Sequence, residues 1–500
     1  MRLLLLLLSS LQWIHGFPRD LLYDFIQHAN HSIDPCDDFF LHVCPNAAET
    51  VNFPGVMMNE YFKIVDSVKG QHLDGVLHHD DSEKFSATLW RFFETEQAVD
   101  FCIDQKETFS KMTRVIVPEW LTDGRVENWE QVPCHIQFAL IRNATSDHYE
   151  RLRVTFIGAI NGAMVRSVLG DLGARTRNFF EKMRNVTREE FKKTPWAQNK
   201  NVVDKFVNVL DSIPFDTAEN YQENAWRGLA EHQKSLKNCR RTLDMRASRH
   251  LSAVICDTVA ISDGWNAADF RLEHYGFTGN MSFAPYNSIV SDLSNGVNGW
   301  DKFVSMGVLG ALPMISDHDA LIYGAVGTPI LHEFMHSFVF GFDDGDYSNL
   351  KSLWTNSSDC VSEQMQKTCQ TYPTTKCREP KYTFEEDAAD LAAYRIAWKS
   401  YLSTLTPEGL RDTEELKLFF YGFPTVFCMK WDPIRGAIDP HSSWHHRVNS
   451  LTSQMNEFAE LFKCKETDRM VMNKARHCVL YGEDASQNKR LGRDSVAMFG

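Results

Sequence analysis

The sequence predicts an α+β fold that is mostly α-helical, and three observations carry that expectation. A charged, amphipathic stretch from about residue 60 to 251 is short of glycine and repeats apolar residues at helical spacing, as in Val203, Phe206, Val207, Leu210 and Ile213. Breaks at Pro118, Pro133 and Pro195 divide it into several helices. Residues 277–341 are richer in Gly, Asn and β-branched side chains, and the pattern then returns to helix. The reading is a helical N-terminal domain followed by a mixed α/β domain beginning near residue 270. Its 500 residues at 43% hydrophobic content suffice for two cores, since single cores rarely grow past roughly 250–300 residues.

The formal net charge is -14, the opposite of the balance that a reader of the nucleic-acid backbone needs. Arg2, the apolar run from Leu3 to about Ile14 and the small Gly16 predict a cleaved leader over residues 1–16. A membrane anchor is the other reading, but a spanning helix needs about 20 apolar residues. No later stretch is long and apolar enough either, so no stable membrane anchor is expected. Twelve cysteines and sequons at Asn30, Asn143, Asn185, Asn280 and Asn356 agree with export to an oxidising compartment. The expected division is 1–16 leader, 17–270 helical domain, 271–482 catalytic domain and 483–500 C-terminal extension.

The segment from Tyr323 to Asp344 holds His332-Glu333-Phe334-Met335-His336, an HExxH pentad. On a helix, positions i and i+4 share a face, so both imidazoles can point at one ion. Thr328 and Pro329 suit the N-cap and first helical position, which would start the helix just before the pentad. The plainer reading is a solvated patch on an ordinary helix. Against it, Ile330, Leu331, Phe334, Met335, Phe338, Val339 and Phe340 make the helix apolar nearly all round, which argues for burial. A buried, ionised Glu333 would be costly without a compensating partner.

A metal site needs further ligands, and the stretch from Tyr382 to Tyr401 offers one. Glu386 and Asp390 fall on one helical face, among Ala388, Ala389, Leu391, Ala392 and Ala393, small enough for close packing. Catalytic zinc prefers three protein ligands and a water, and two His with one Glu is a known set. A carboxylate behind a ligating His fixes its tautomer. Glu386 is the candidate third ligand and Asp390 the group behind. Acidic residues gathered for the helix dipole are the alternative. A third cluster, Asp439 to Arg447, holds His441 where an imidazole and a guanidinium could stabilise a developing oxyanion; a polar surface loop is its alternative.

In colinear order these segments resemble the neprilysin and endothelin-converting-enzyme family of zinc metallopeptidases. Asp34-Pro35-Cys36-Asp37-Asp38-Phe39-Phe40 is similar to the family's DPCxDFY opening, with Cys44 at the expected spacing. Asn280, before Phe283 and Pro285, resembles its NAxYxP arm, Tyr323 to His336 its YGxIGxVIGHExxH helix, and Phe342-Asp343-Asp344 its FDD. Glu386 to Asp390 fits its ExxxD, and Asp439, His441 and Arg447 fit its DxH and following Arg. The chain departs from the family at Ser337, which stands for the usual Gly, and at Asp387 to Ala393, where its glycines and asparagines are lost. Its N-terminal domain is also shorter.

The resemblance implies a thermolysin-like catalytic domain covered by a reduced helical domain. It implies a secreted zinc-dependent metalloendopeptidase that hydrolyses extracellular peptides by zinc-activated water attack. One Zn²⁺ per chain would be held by His332, His336 and Glu386, with Glu333 as general base and Asp390 orienting His332. His441, positioned by Asp439, would donate to the oxyanion, and Arg447 and Asn280 would grip the substrate backbone. Peptides are the expected partners. The shorter cover predicts looser selection of substrate size. A catalytically weak or silent zinc-bound peptide-binding homologue is the alternative function. For the cysteines the resemblance implies Cys36–Cys464, Cys44–Cys428, Cys102–Cys239 and Cys360–Cys478. Cys369 and Cys377 are close enough in sequence to pair locally, and Cys134 and Cys256 remain unassigned.

Overall fold

Helical spacing in the sequence is realised as long helices in the computed structural model. It describes residues 20–44, 172–195, 200–217, 222–242, 297–339, 351–373, 377–429 and 440–485 apart from a few positions, with short pieces at 53–63, 103–110, 129–137 and 256–267. The expected leader at 1–16, Asn280, Asp439 and Cys102 lie outside the described residues. In chain order the elements are α1 (Leu21–Ile26), α2 (Phe39–Val43), α3 (Leu172–Lys193), α4 (Lys200–Ser212), β1 (Phe215–Thr217) and α5 (Gln222–Thr242). There follow β2 (Val297–Trp300), β3 (Phe303–Met306), α6 (Asp319–Ile322), α7 (Thr328–Val339), α8 (Lys351–Thr371) and α9 (Phe384–Leu402). Then come α10 (Thr413–Thr425), α11 (Trp444–Ser453), α12 (Asn456–Phe462) and a short helix at Arg469–Met472. The fold is mostly α-helical, and among the described residues there is one small sheet of order β1-β3-β2 in which β2 and β3 form an antiparallel hairpin.

Composition marks one boundary near residue 270, whereas the two compact units alternate along the chain. One comprises Met1–Lys63, Ala174–Asp216 and Gly296–Gly500; the other comprises Ile64–Gly173 and Thr217–Asn295. The first unit gathers distant segments through covalent and polar ties. Cys36–Cys464 and Cys44–Cys428 staple α2 to the C-terminal helices. Closing such long loops constrains the unfolded chain by on the order of 4–5 kcal/mol each in the entropic account, a mechanism that is disputed. Cys360–Cys478 and Cys369–Cys377 also form as expected.

In the second unit the expected Cys102–Cys239 bridge gives way to Cys239–Cys256. The reason is local packing. A Cβ on Gly264 would lie 2.8 Å from the Gly228 carbonyl, so the short piece around it is pressed against α5. Ser235 also donates to Asp263 at 2.5 Å, and these contacts bring Cys256 beside Cys239. Cys134 is disulfide-bonded too.

The α-helix that carries the pentad begins at Thr328, where the Thr-Pro pair suggests, but Thr328 is itself helical and is not the N-cap of an isolated helix. Residues 319–339 run as one helical rod, with a π-turn over Tyr323–Gly327 joining α6 to α7. Pro329 has no amide hydrogen, and its ring crowds the carbonyl four residues back, so a regular α-turn is disfavoured here. The wider turn accommodates it, with the Thr328 amide bonded to the Tyr323 carbonyl. Burial extends the rod upstream of the start signal, because Leu321, Ile322, Tyr323 and Val326 are all fully packed.

Two glycines let this rod meet α10 closely. A Cβ on Gly422 would lie 2.6 Å from the Leu321 carbonyl, and one on Gly324 would overlap the Phe419 carbonyl. Gly324→Ala or Gly422→Ala is expected to cost about 1–3 kcal/mol of stability through forced separation of the helices. A lowered thermal midpoint would register this, and an unchanged midpoint would refute the close-packing account. On another side α7 is covered by α3 and α4, through Phe180 on Phe334 and Phe191 and Phe206 on Phe338. Phe206, Leu210 and Ile213 of the expected α4 stripe are buried.

Candidate metal centre

Along a third side α7 packs against α9. The fully buried Ala388, Ala389 and Ala393 keep α9 close to it. That approach aims the acidic first turn of α9 at the pentad. Glu386 Oε2 lies 3.1 Å from His332 Nε2 and 3.5 Å from His336 Nε2. His441, just ahead of α11, brings its Nε2 to 3.0 Å from the same oxygen. On the other side of the ring, His332 Nδ1 lies 2.8 Å from Asp390 Oδ1. Glu333 and His336 are half-buried at the open edge, with Glu333 Oε2 3.8 Å from His336 Nε2.

Asp390 is held in turn by Arg447, which donates from Nε at 2.6 Å and from Nη2 at 2.7 Å. Arg447 is only 5% exposed and also stacks over Phe427, with Cζ 4.7 Å from the ring centre. Two of its nitrogens are therefore committed to Asp390 and, through it, to His332.

The charges explain themselves. Burial would raise Glu386, but hydrogen bonds and charge from His332 and His441 hold it far below the usual carboxylate range. Burial would raise Asp390 as well, and the Arg447 and His332 charges outweigh it in the same way. Burial would lower His332, yet Asp390 and Glu386 raise it to about 10, so its ring carries a second proton. Burial and the His332 charge push His336 down to about 4. Burial pushes Asp387, next to Glu386, up to about 7 despite hydrogen bonds from Thr383 and from Ser442, which donates at 3.1 Å, and the Arg447 charge.

A zinc ion suits this donor set. Two imidazole nitrogens and one carboxylate oxygen converge, and a cation there would replace the second proton of His332 as the positive charge that the buried carboxylates demand. Four donor clusters of metal type occur among the described residues. Cys369, Cys377 and His446 form one and Cys36, Cys464 and Asp468 another, but their sulfurs are joined in disulfides. The other two are His332, Glu333, His336 and His332, Glu386, His441.

Residues 313–478, the segment that carries this geometry, match the model of peptidase family M13. The segment belongs to that family. Over 186 residues the chain is 33% identical to neprilysin-1 of Caenorhabditis elegans, a match covering 32% of this chain and 24% of that one. Over 165 residues it is 31% identical to endothelin-converting enzyme 1 of Mus musculus, covering 30% and 22%. Less than a quarter of each relative's length is thus matched. Among solved structures, PEPO of Lactobacillus rhamnosis HN001 aligns at TM-score 0.41 and 17% identity, covering 70% of this chain and 52% of that one. The zinc metalloprotease Zmp1 of Mycobacterium tuberculosis aligns at 0.44 and 15%, covering 73% and 54%. The resemblance to the neprilysin and endothelin-converting-enzyme family holds, and membership of M13 places the segment among metallopeptidases.

Sequence reasoning did not find the polar network behind α11. Asp38, 4% exposed, accepts from the Leu41 amide at 3.1 Å and Asn449 Nδ2 at 3.0 Å, and lies 2.7 Å from His445 Nε2. Burial would raise Asp38, but His445 and Asn449 hold it below its ordinary value. The one available signal was an Asp directly before two Phe at a short helix start, which reads as an N-cap and no more.

Proposed function

We propose that the chain is a secreted zinc metalloendopeptidase that hydrolyses extracellular peptides. The observation that carries this reading is the convergence of His332, His336 and Glu386, with Glu333 beside His336 and Asp390 behind His332. These residues would hold one Zn²⁺, through the two imidazoles and the Glu386 carboxylate. When bound, zinc supplies Lewis acidity that lowers the pKa of a water to about 7 and polarises a carbonyl.

The chain's own groups divide the remaining work. Glu333, half-buried at the open edge, accepts the proton of the attacking water on a carboxylate oxygen and returns it to the leaving amine. Asp390 accepts the Nδ1 hydrogen of His332, which leaves Nε2 as the ligand lone pair. Arg447 keeps Asp390 ionised and in line. His441 donates from Nε2 to the oxygen on which charge develops, worth about 10²–10³ in rate for one such donor. Asp439 and Asn280 are assigned their roles from the resemblance alone, as is a grip of Arg447 on the substrate backbone.

Export is supported by the buried disulfides, which persist in oxidising compartments. No described helix is long and apolar enough to cross a membrane. Incubation of the full chain with a peptide library, with and without a chelator and then with zinc restored, tests the function. Cleavage lost to the chelator and recovered with zinc is expected; chelator-resistant cleavage, or none with zinc bound, refutes it. One cleavable sequence placed in peptides of increasing length checks size selection. A gradual decline in rate is expected, and a sharp cutoff at short lengths would sink that expectation.

A further inference from the structure

The Cys369–Cys377 bridge differs from the other described disulfides in three respects. It spans a sequence separation of 8, against 17 for Cys239–Cys256, 118 for Cys360–Cys478, 384 for Cys44–Cys428 and 428 for Cys36–Cys464. In chain-entropy scaling this makes its closure on the order of 50-fold less stabilising than that of Cys360–Cys478. Every other described bridge has at least one buried cysteine, among them Cys36, Cys44, Cys256 and Cys360, whereas Cys369 and Cys377 are both half-exposed. Its sulfurs also face an imidazole: His446 Nδ1 lies 3.9 Å from Cys369 Sγ and 3.8 Å from Cys377 Sγ.

The tautomer of that ring follows from its other side. His446 Nε2 is 2.9 Å from the Tyr372 carbonyl, which can only accept, so Nε2 carries the hydrogen and Nδ1 presents a lone pair to the sulfurs. The neighbouring backbone does not depend on the bridge. The Tyr372 hydroxyl donates to the Asp37 carbonyl at 2.8 Å, and Arg469 Nη2 donates to the Thr371 carbonyl at 2.5 Å.

We propose that Cys369–Cys377 is a thiol–disulfide exchange site, opened by low-molecular-weight thiols ahead of the other bridges, whose freed thiols His446 activates. A thiolate RS⁻ attacks one sulfur, forming a mixed disulfide and releasing the other cysteine as its thiolate. A second thiol resolves the mixed disulfide. The balance is Cys–S–S–Cys + 2 RSH → 2 Cys–SH + RSSR, and the thiol supplies both electrons. In the reduced pair an S–H donates to Nδ1, which draws the sulfur toward the nucleophilic thiolate. The anchors on Thr371 and Tyr372 hold the end of α8 independently of the bridge, so exchange proceeds on the folded protein.

The test treats the folded full chain with rising concentrations of reduced glutathione, quenches with N-ethylmaleimide and maps labelled cysteines. Label on Cys369 and Cys377 is expected at a thiol concentration about threefold below that opening Cys239–Cys256 and at least about tenfold below that opening Cys360–Cys478, Cys44–Cys428 or Cys36–Cys464. Another bridge opening first, or together with it, overturns the proposal. The Cys369→Ser/Cys377→Ser double variant should keep the wild-type circular dichroism and take no label at that concentration; label elsewhere counts against the site. His446→Gln should slow alkylation of the freed thiols by about fivefold, and an unchanged rate removes His446 from the account. Independently of that variant, the wild-type thiols should react faster than cysteine in an unfolded peptide, and equal or slower reaction overturns activation.

Discussion

Replacing Glu333 with glutamine is expected to lower peptide hydrolysis by about 10³-fold while zinc stays at one per chain. The amide matches the carboxylate in shape but cannot accept a proton, and a positioned general base is worth about 10²–10⁴ in rate. Metal content should survive because the site's other donors are untouched. Glu386 Oε2 stays near both imidazoles, and Asp390 still fixes His332. Metal analysis and turnover of the purified variant decide the matter together. Wild-type turnover would remove Glu333 from the role of base, and loss of metal would make it a ligand instead.

The second large effect is expected at Asp390. Asp390→Ala leaves Arg447 charged, 5% exposed and without the carboxylate that now takes two of its donors. Breaking a buried pair from one side costs about 3–5 kcal/mol. The same change frees the His332 ring, which should weaken zinc binding by about 10–100-fold. Chemical denaturation and competition against a chromogenic chelator measure the two effects separately. Adding Arg447→Met to Asp390→Ala removes the stranded charge, so stability should partly recover while zinc affinity does not. Joint recovery would mean that Asp390 acts only through packing.

A pH arm follows with a definite sign. Asp390 sits below its ordinary 3.8, so its stabilisation is present above that value and fades as pH falls through and below it. Metal-free wild type should therefore lose stability below about pH 4, and Asp390→Ala should lose less.

How much of this was legible differs from element to element. The α4 stripe of Phe206, Leu210 and Ile213 was readable because burial on one face imposes a helical repeat. The pentad was readable as a metal motif because four residues return a helix to the same face. The α-helix start at Thr328 was readable, but its continuation upstream through the π-turn was not. Thr328 and Pro329 carry a true local signal, but the packed side chains of α6 outweigh a capping preference worth about 1 kcal/mol. Cys239 was paired by resemblance with Cys102, while the closeness of Cys256 depends on how a short helical piece lies against α5.

The sequence by itself determined the local chemistry: a mostly helical chain, two histidines on one face, an acidic turn with small residues behind it, and cysteines enough to staple distant ends. Tertiary structure decided which of those groups meet. Nothing in the spacing says that Glu386 reaches both imidazoles, that Arg447 spends two donors on Asp390, or that Asp38 anchors α11 across 407 residues through His445. The physical reason is that helical periodicity acts over a few residues. A buried charge, by contrast, must find its partner wherever packing brings one, and that choice is made by the whole core.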